Sequence, residues 1–265
     1  MSRLSLLATS FVVSSCVLGC GSAPEQSIQR YAVQVRMADQ VVVATSTTPL
    51  HVEAGDVVEM NVVGVTADGT AVTPPIEASV DWSGAPVVTV ASATDPDADP
   101  MSAVSDDAPA VVIRDPGRFT NIDQSALLGV LGGAGQDTPA EIRATVSGAA
   151  AAGDFGLRIV TSPMPAGDAM RGMALYESNC ARCHGIEGEG AGDAPGLNAK
   201  EGNVAGDPSW NAALFAVGAR VGMDNDGIAL DPEMPLWLTE KTEAGPLLTT
   251  QDFADMYAFL TTETR

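Results

Sequence analysis

Two hydrophobic rhythms divide the 265 residues. From Tyr31 to about Ser162, apolar positions come in short β-branched runs bounded by Gly, Asp and Pro, the pattern of strands. Val33, Val35 and Val41-Val42-Val43 begin the series, and Ser46-Thr47-Thr48-Pro49 interrupts it. Leu50-His51-Val52 leads through Gly55-Asp56 into a longer run, Val57 to Val65, and Asp68-Gly69 is a hairpin signal. Val80-Asp81-Trp82, Val87 to Val90, Glu141 to Val146 and Phe155 to Val160 supply further strands. This spacing predicts a small β-sandwich with Trp82 in its core and His51 as a strand or surface residue. Leu127, Leu128 and Leu131, within 121–133, have a weak helical spacing instead.

From Asp168 the rhythm becomes helical. Asp168 is placed to cap a helix running to Cys180, with Met173, Tyr176 and Cys180 on one face. Near the end of the chain, Thr249 or Thr250 caps a second helix. Asp252 lies in its first turn, and Phe253, Met256, Tyr257 and Leu260 form an i, i+3, i+4, i+7 face. Ser162-Pro163-Met164-Pro165-Ala166-Gly167 joins the two textures, and its prolines make it extended and stiff. The expected architecture is an all-β domain followed by an all-α domain.

Composition narrows the partners. With 13 basic and 34 acidic residues the net charge is −21, the wrong sign for a nucleic-acid binder or for attraction to an anionic membrane surface. A basic partner suits it. Hydrophobic residues make up 45%, enough for a core, while 27 Gly and 17 Pro favour loops and short strands. The stretch 92–110 is acidic and proline-containing and is expected to be a mobile loop.

The N-terminus reads as an export segment. Arg3 precedes an apolar run from Leu4 to Val13, too short to span a bilayer. Val17-Leu18-Gly19-Cys20-Gly21-Ser22 resembles a bacterial lipoprotein signal, which implies that Cys20 carries a lipid and anchors the chain to a membrane. Cys16 is a second candidate, and a plain secretory signal is the alternative. The expected organisation is a signal over 1–20, a tether over 21–30, a β-domain over 31–162, a linker over 163–167 and a helical domain over 168–265.

The remaining two cysteines carry the chemistry. Cys180-Ala181-Arg182-Cys183-His184 is the Cys-x-x-Cys-His pattern of c-type haem attachment. Thiols three residues apart can reach both vinyl groups on one porphyrin edge, and the adjacent histidine can supply an axial nitrogen. A redox dithiol would be expected on a βαβ pattern, and a zinc site needs a second pair of ligands; neither accompanies the pentad. Export agrees with haem, because bacterial c-type haem is attached outside the cytoplasm.

Residues 168–265 resemble a class I cytochrome c domain. The resemblance implies one covalent haem c on Cys180 and Cys183, with His184 as one axial iron ligand. It implies that Met234, in Asp231-Pro232-Glu233-Met234-Pro235-Leu236-Trp237, is the other, 50 residues after His184. Met223 and Met256 are the other methionines after the motif, and Met256 falls on the helix-packing face. The Ala194-Pro195-Gly196-Leu197 segment resembles the loop in which a proline carbonyl, here of Pro195, accepts the histidine Nδ1 proton. Gly172 matches the small residue that lets the last helix cross closely. Arg220 and Trp237 are candidates to reach the haem propionates, with surface charge and packing as their alternatives. Asp224, Asp226, Gly227 and Glu233 resemble part of an EF-hand loop, but Gly222 stands where its first carboxylate belongs, so a plain acidic loop is preferred over calcium. Residues 31–162 more loosely resemble bacterial Ig-like domains, through Gly55-Asp56, Asp68-Gly69, Val80-Asp81-Trp82-Ser83 and the Ile142-to-Val160 pair.

Three functions follow as expectations. The first is a lipid-anchored single-electron carrier that is not itself an enzyme. Its helical domain, with 6 basic and 16 acidic side chains, favours redox partner proteins with a basic docking face. The second is the electron-transfer subunit of a larger dehydrogenase. The third is a surface-binding or sensor module that bears a haem. A Ser-His-Asp triad would have to use His51, and nothing nearby supports one.

Overall fold

The computed structural model describes residues 27–37, 40–43, 49–72, 79–85, 87–90, 110–113, 125–132, 140–147, 153–225, 229–239, 242 and 245–262. The export segment with Cys16 and Cys20, the acidic stretch 92–109, and Asp226 and Gly227 lie outside these described residues.

The N-terminal region is strand-rich. Its strands are β1 (Ile28–Met37), β2 (Gln40–Val43), β3 (Leu50–Glu53), β4 (Val57–Thr66), β5 (Ala71–Val72), β6 (Ser79–Ala85), β7 (Val87–Val90), β8 (Ala110–Ile113), β9 (Ser125–Val130), β10 (Ala140–Ser147) and β11 (Gly153–Ser162). A seven-stranded sheet runs β2-β1-β4-β9-β8-β7, with β5 paired to β4, and a four-stranded sheet runs β3-β11-β10-β6. Pairing is antiparallel except for β7 with β8 and β3 with β11. The two sheets share one core. Val58, Met60 and Val62 of β4 pack with Ile142, Ala144 and Val146 of β10, and with Trp82, which is buried as expected. Register follows from this alternation, because a one-residue slip would move every one of these side chains to the opposite face.

β9 replaces the helix-like spacing expected around Leu127. Ala126, Leu128 and Val130 face the inter-sheet core, whereas Leu127 and the following Leu131 belong to a separate apolar cluster on the outer face. With both faces covered, the segment loses the polar–apolar alternation that marks a one-sided strand.

The C-terminal region is helical: α1 (Ala169–Asn179), α2 (Ala181–His184), α3 (Ala212–Val221) and α4 (Thr250–Thr261). The Asp168 side chain caps α1 by accepting the Met170 and Arg171 amides. Thr249 and Asp252 form a reciprocal capping box on α4. α1 and α4 cross so closely that a Cβ on Gly172 would lie 1.9 Å from the Asp255 carbonyl oxygen; the glycine is required by contact. The buried face of α1 is Gly172 and Tyr176, and Met173, expected on that face, is exposed. Arg171 ties the two helices further, pairing with Asp252 and, through Nε at 3.0 Å, with the buried Asp255.

α3 has no polar face. Every residue from Ala213 to Val221 is buried, as in a helix enclosed on all sides. Phe215, Ala216 and Ala219 join the helical core around Tyr176 and Phe253. Leu214, Val217 and Val221 join Ile113, Leu127 and Leu131 of the large sheet. Each such side chain contributes about 1.5–3 kcal/mol when fully buried, so α3 is held from both sides. The segment after β11 is also held: Met164 packs on the helical core, and the Gln251 amide donates to the Ala166 carbonyl at 2.9 Å. No helix among the described residues is long and apolar enough to cross a membrane.

Candidate metal centre

The pentad sits on a short turn of helix immediately after α1. The amides of Cys183 and His184 both bond the Cys180 carbonyl, at 3.1 and 3.0 Å, and Gly185 closes the turn on Ala181 at 3.0 Å. This places Cys180 and Cys183 about one turn apart, the relation that two-point thioether attachment needs. Both are free thiols. Apolar surroundings push the Cys180 thiol up to about 12, and the neighbouring Cys183 adds to the rise.

His184 is oriented by the loop that follows it. Its Nδ1–H donates to the Pro195 carbonyl at 2.9 Å. A carbonyl can only accept, so the neutral ring carries its proton on Nδ1 and leaves the Nε2 lone pair for a metal. That loop is itself braced. Gly190 N–H bonds the His184 carbonyl at 2.8 Å, and Leu197 N–H bonds Gly188 at 2.7 Å. Asn198, 1% exposed, donates to the Glu187 carbonyl at 3.0 Å and accepts from Asn203 at 2.6 Å. Tyr176 donates its hydroxyl to the Gly185 carbonyl at 2.9 Å, and burial raises its pKa, which keeps the proton on the phenol. Sequence reasoning read Tyr176 as helix packing and did not reach Asn198 or Asn203. Nothing in the Gly-rich, charge-bearing sequence of residues 185–203 singles either asparagine out.

Met234 lies in a turn 50 residues after His184. Asp231 shapes its turn, accepting from Met234 N–H on its carbonyl at 3.0 Å and from Glu233 N–H on its side chain at 2.8 Å. Met234 and Cys180 are both half-covered and pack on the same apolar cluster, which also contains the buried Trp237. Met256 lies inside that cluster between the helices. Met223 lies in the other cluster, against the large sheet. Of the three methionines, Met234 alone combines partial exposure with contact to the Cys180 surroundings.

Arg220 sits in the seam between the helical and strand-rich regions, where protein groups take up its guanidinium. Its guanidinium donates to the Gly55 carbonyl, to Leu248 O at 3.2 Å and to Thr250 Oγ1 at 3.2 Å, and lies 4.7 Å from the Phe253 ring centroid. Burial brings its pKa down to about 10, against the pull of Asp56 and Asp252. Trp237 is packed in the apolar cluster, with its backbone N–H bonded to Ala219 O at 3.3 Å. His51 is exposed on β3. Two members of the EF-hand-like pattern, Asp226 and Gly227, fall outside the described residues.

The donor set fits a haem: two free thiols one turn apart, an imidazole with its Nδ1 proton fixed, and a thioether bordering the same apolar cluster. Residues 169–263 match the family model described as Cytochrome c. No curated protein matches the chain. The C-terminal region is therefore a cytochrome c domain, a haem-binding module of electron transfer.

Proposed function

We propose that this protein is an exported, lipid-anchored mono-haem cytochrome c that carries single electrons. Cys180 and Cys183 would hold the haem covalently, and His184 and Met234 would ligate its iron. The observation that carries this reading is the His184 Nδ1–Pro195 carbonyl bond of 2.9 Å, which fixes the ring for ligation through Nε2. The bound group would supply one-electron chemistry, and a thioether ligand favours a higher potential than a second imidazole. The chain's own residues then orient the ring, stiffen the methionine approach through Pro235 and exclude water with the cluster around Trp237.

Cys20 is the lipid-bearing residue, and the anchor places the protein at a bacterial membrane facing the periplasm or the exterior. The strand-rich region, over about 31–162, is an Ig-like spacer. The acidic surface of the helical region, with net charge −10 from 6 basic and 16 acidic side chains, selects partners with a basic docking face.

The test is a visible spectrum with redox titration of the purified mature protein. A reversible one-electron wave, with no carbon monoxide binding to the reduced form, is expected. Rapid carbon monoxide binding would indicate an open iron site and favour sensing or catalysis over carrying. In Met234→Ala the methionine–iron charge-transfer band should vanish; its survival would remove Met234 from the ligand set.

A further inference from the structure

The helical region does not close its own core. α3 presents Leu214, Val217 and Val221 away from the site, and the large sheet covers them with Ile113, Leu127 and Leu131. The fit at β9 is tight: a Cβ on Gly129 would lie 2.7 Å from Val217 Cγ1, so α3 lies flush on that strand only because position 129 has no side chain. At the other end of α3 the contact is polar. Arg220 donates to the Gly55 carbonyl and to Thr250 Oγ1, and the Thr250 hydroxyl donates to the Asp56 carboxylate. The Gly55–Asp56 turn therefore reaches both α3 and the first turn of α4.

The far side of this seam meets the segment that presents Met234. Leu230 N–H bonds Gly222 O at 2.8 Å, Trp237 N–H bonds Ala219 O at 3.3 Å and Leu238 N–H bonds Arg220 O at 3.2 Å. Both ends of the 230–238 segment thus hang on the C-terminal turn of α3. Leu238 also packs into the cluster shared with the sheet.

We propose that the strand-rich region braces the Met234 loop: β9 and the Gly55–Asp56 turn hold α3 in place, and α3 holds the loop. Arg220 is the positioning residue that joins the parts, with its side chain on the turn and its carbonyl on the loop. The strand-rich region is then more than a spacer, because releasing it would loosen one side of the haem site without touching the Cys180–His184 side. The part of this that concerns iron rests on Met234 being a ligand; the part that concerns the loop does not.

Two variants of the full, haem-loaded chain test it from the strand-rich side. Gly129→Leu puts a side chain where Val217 lies. Asp56→Lys replaces the carboxylate facing Arg220 with a like charge. His51→Ala, on the exposed face of β3, is the control. Amide exchange at Trp237 and Leu238, followed by NMR on the reduced protein, should speed up about tenfold or more in both variants and not in the control, as local opening becomes easier. Carbon monoxide binding should rise and the charge-transfer band weaken in parallel. Wild-type exchange at both amides in both variants overturns the brace. Faster exchange with an unchanged iron site upholds the brace and removes Met234 as ligand, a result that Met234→Ala checks independently. If Gly129→Leu unfolds the sheets, seen by far-UV circular dichroism, Asp56→Lys alone decides.

Discussion

The two regions of this chain bury their apolar residues in different ways. The strand-rich region encloses its core between two sheets, and its largest side chains, including Trp82, Met60 and Ile142, are nearly inaccessible. The helical region has a smaller core whose margin is only half-covered: Cys180, Met234, Trp210 and Leu175 all pack on it while remaining partly exposed. A sealed core is made by the polypeptide alone. A core with an apolar, half-open margin beside two thiols and an oriented imidazole is one that a flat apolar cofactor would complete, in the way that metals and other ligands complete small domains. The difference predicts that the two regions depend on different things.

The largest expected effect separates them outright. Replacing both Cys180 and Cys183 with serine should abolish covalent haem, read as loss of haem stain on a denaturing gel. It should also remove the stabilisation that binding gives to the helical region. The strand-rich region should keep its unfolding transition. If that transition also disappeared, the sealed core would not be self-sufficient and the contrast would fail.

The converse substitution is Trp82→Ala. Trp82 is 2% exposed and lies among side chains of both sheets. A large-to-small change at such a site costs about 3–5 kcal/mol. Calorimetry should show the strand-rich transition moving down, with the haem absorption spectrum unchanged until the region unfolds. A spectrum that shifts at once in the folded variant would mean that coupling through α3 reaches the haem site from the inter-sheet core as well as from the outer face.

How much of this could be read in advance follows from the same contrast. Most strands of the sealed core have one buried and one more exposed face, so Val33 and Val35, Ile142 to Val146, and Leu157 with Ile159 announce themselves by alternation. The Cys-x-x-Cys-His pentad, the Asp168 cap and a cap at Thr249 or Thr250 are local in sequence and legible there, whereas the Pro195 contact with His184 follows only from the resemblance to a cytochrome c loop. The seam was not legible. α3 is apolar all round and therefore has no period to detect, although Asn211 caps its start and Gly222, in the left-handed conformation, ends it. β9 is covered on both faces and looked helical. The resemblance makes Arg220 a candidate for the propionates, with surface charge as its alternative, and a sequence does not say that its partner is a carbonyl 165 positions away. Residues that serve two cores at once lose the patterns that either core alone would impose.

The smallest effect concerns the clasp between α1 and α4. Burial works against the charge on Asp252, but hydrogen bonds from the Thr249 hydroxyl and amide, and from Arg171, hold its pKa below the ordinary carboxylate value. A carboxylate with a depressed folded pKa stabilises the fold above its unfolded pKa, and that stability is lost as pH falls through the folded value. The Asp252 contribution should therefore be complete above the ordinary value of 3.8 and fade below it. Asp252→Asn keeps the size of the side chain and removes the charge. Near neutral pH it should cost about 1 kcal/mol, the usual scale of a lost cap. Melting curves of the haem-loaded protein between about pH 6 and 2 should show the gap between variant and wild type closing only on the acid side. A gap that stays constant across that range would mean that Asp252 acts through shape and not through its charge, leaving the buried Asp255, bonded to the Asp168 amide at 2.7 Å, as the carboxylate that locks the two helices together.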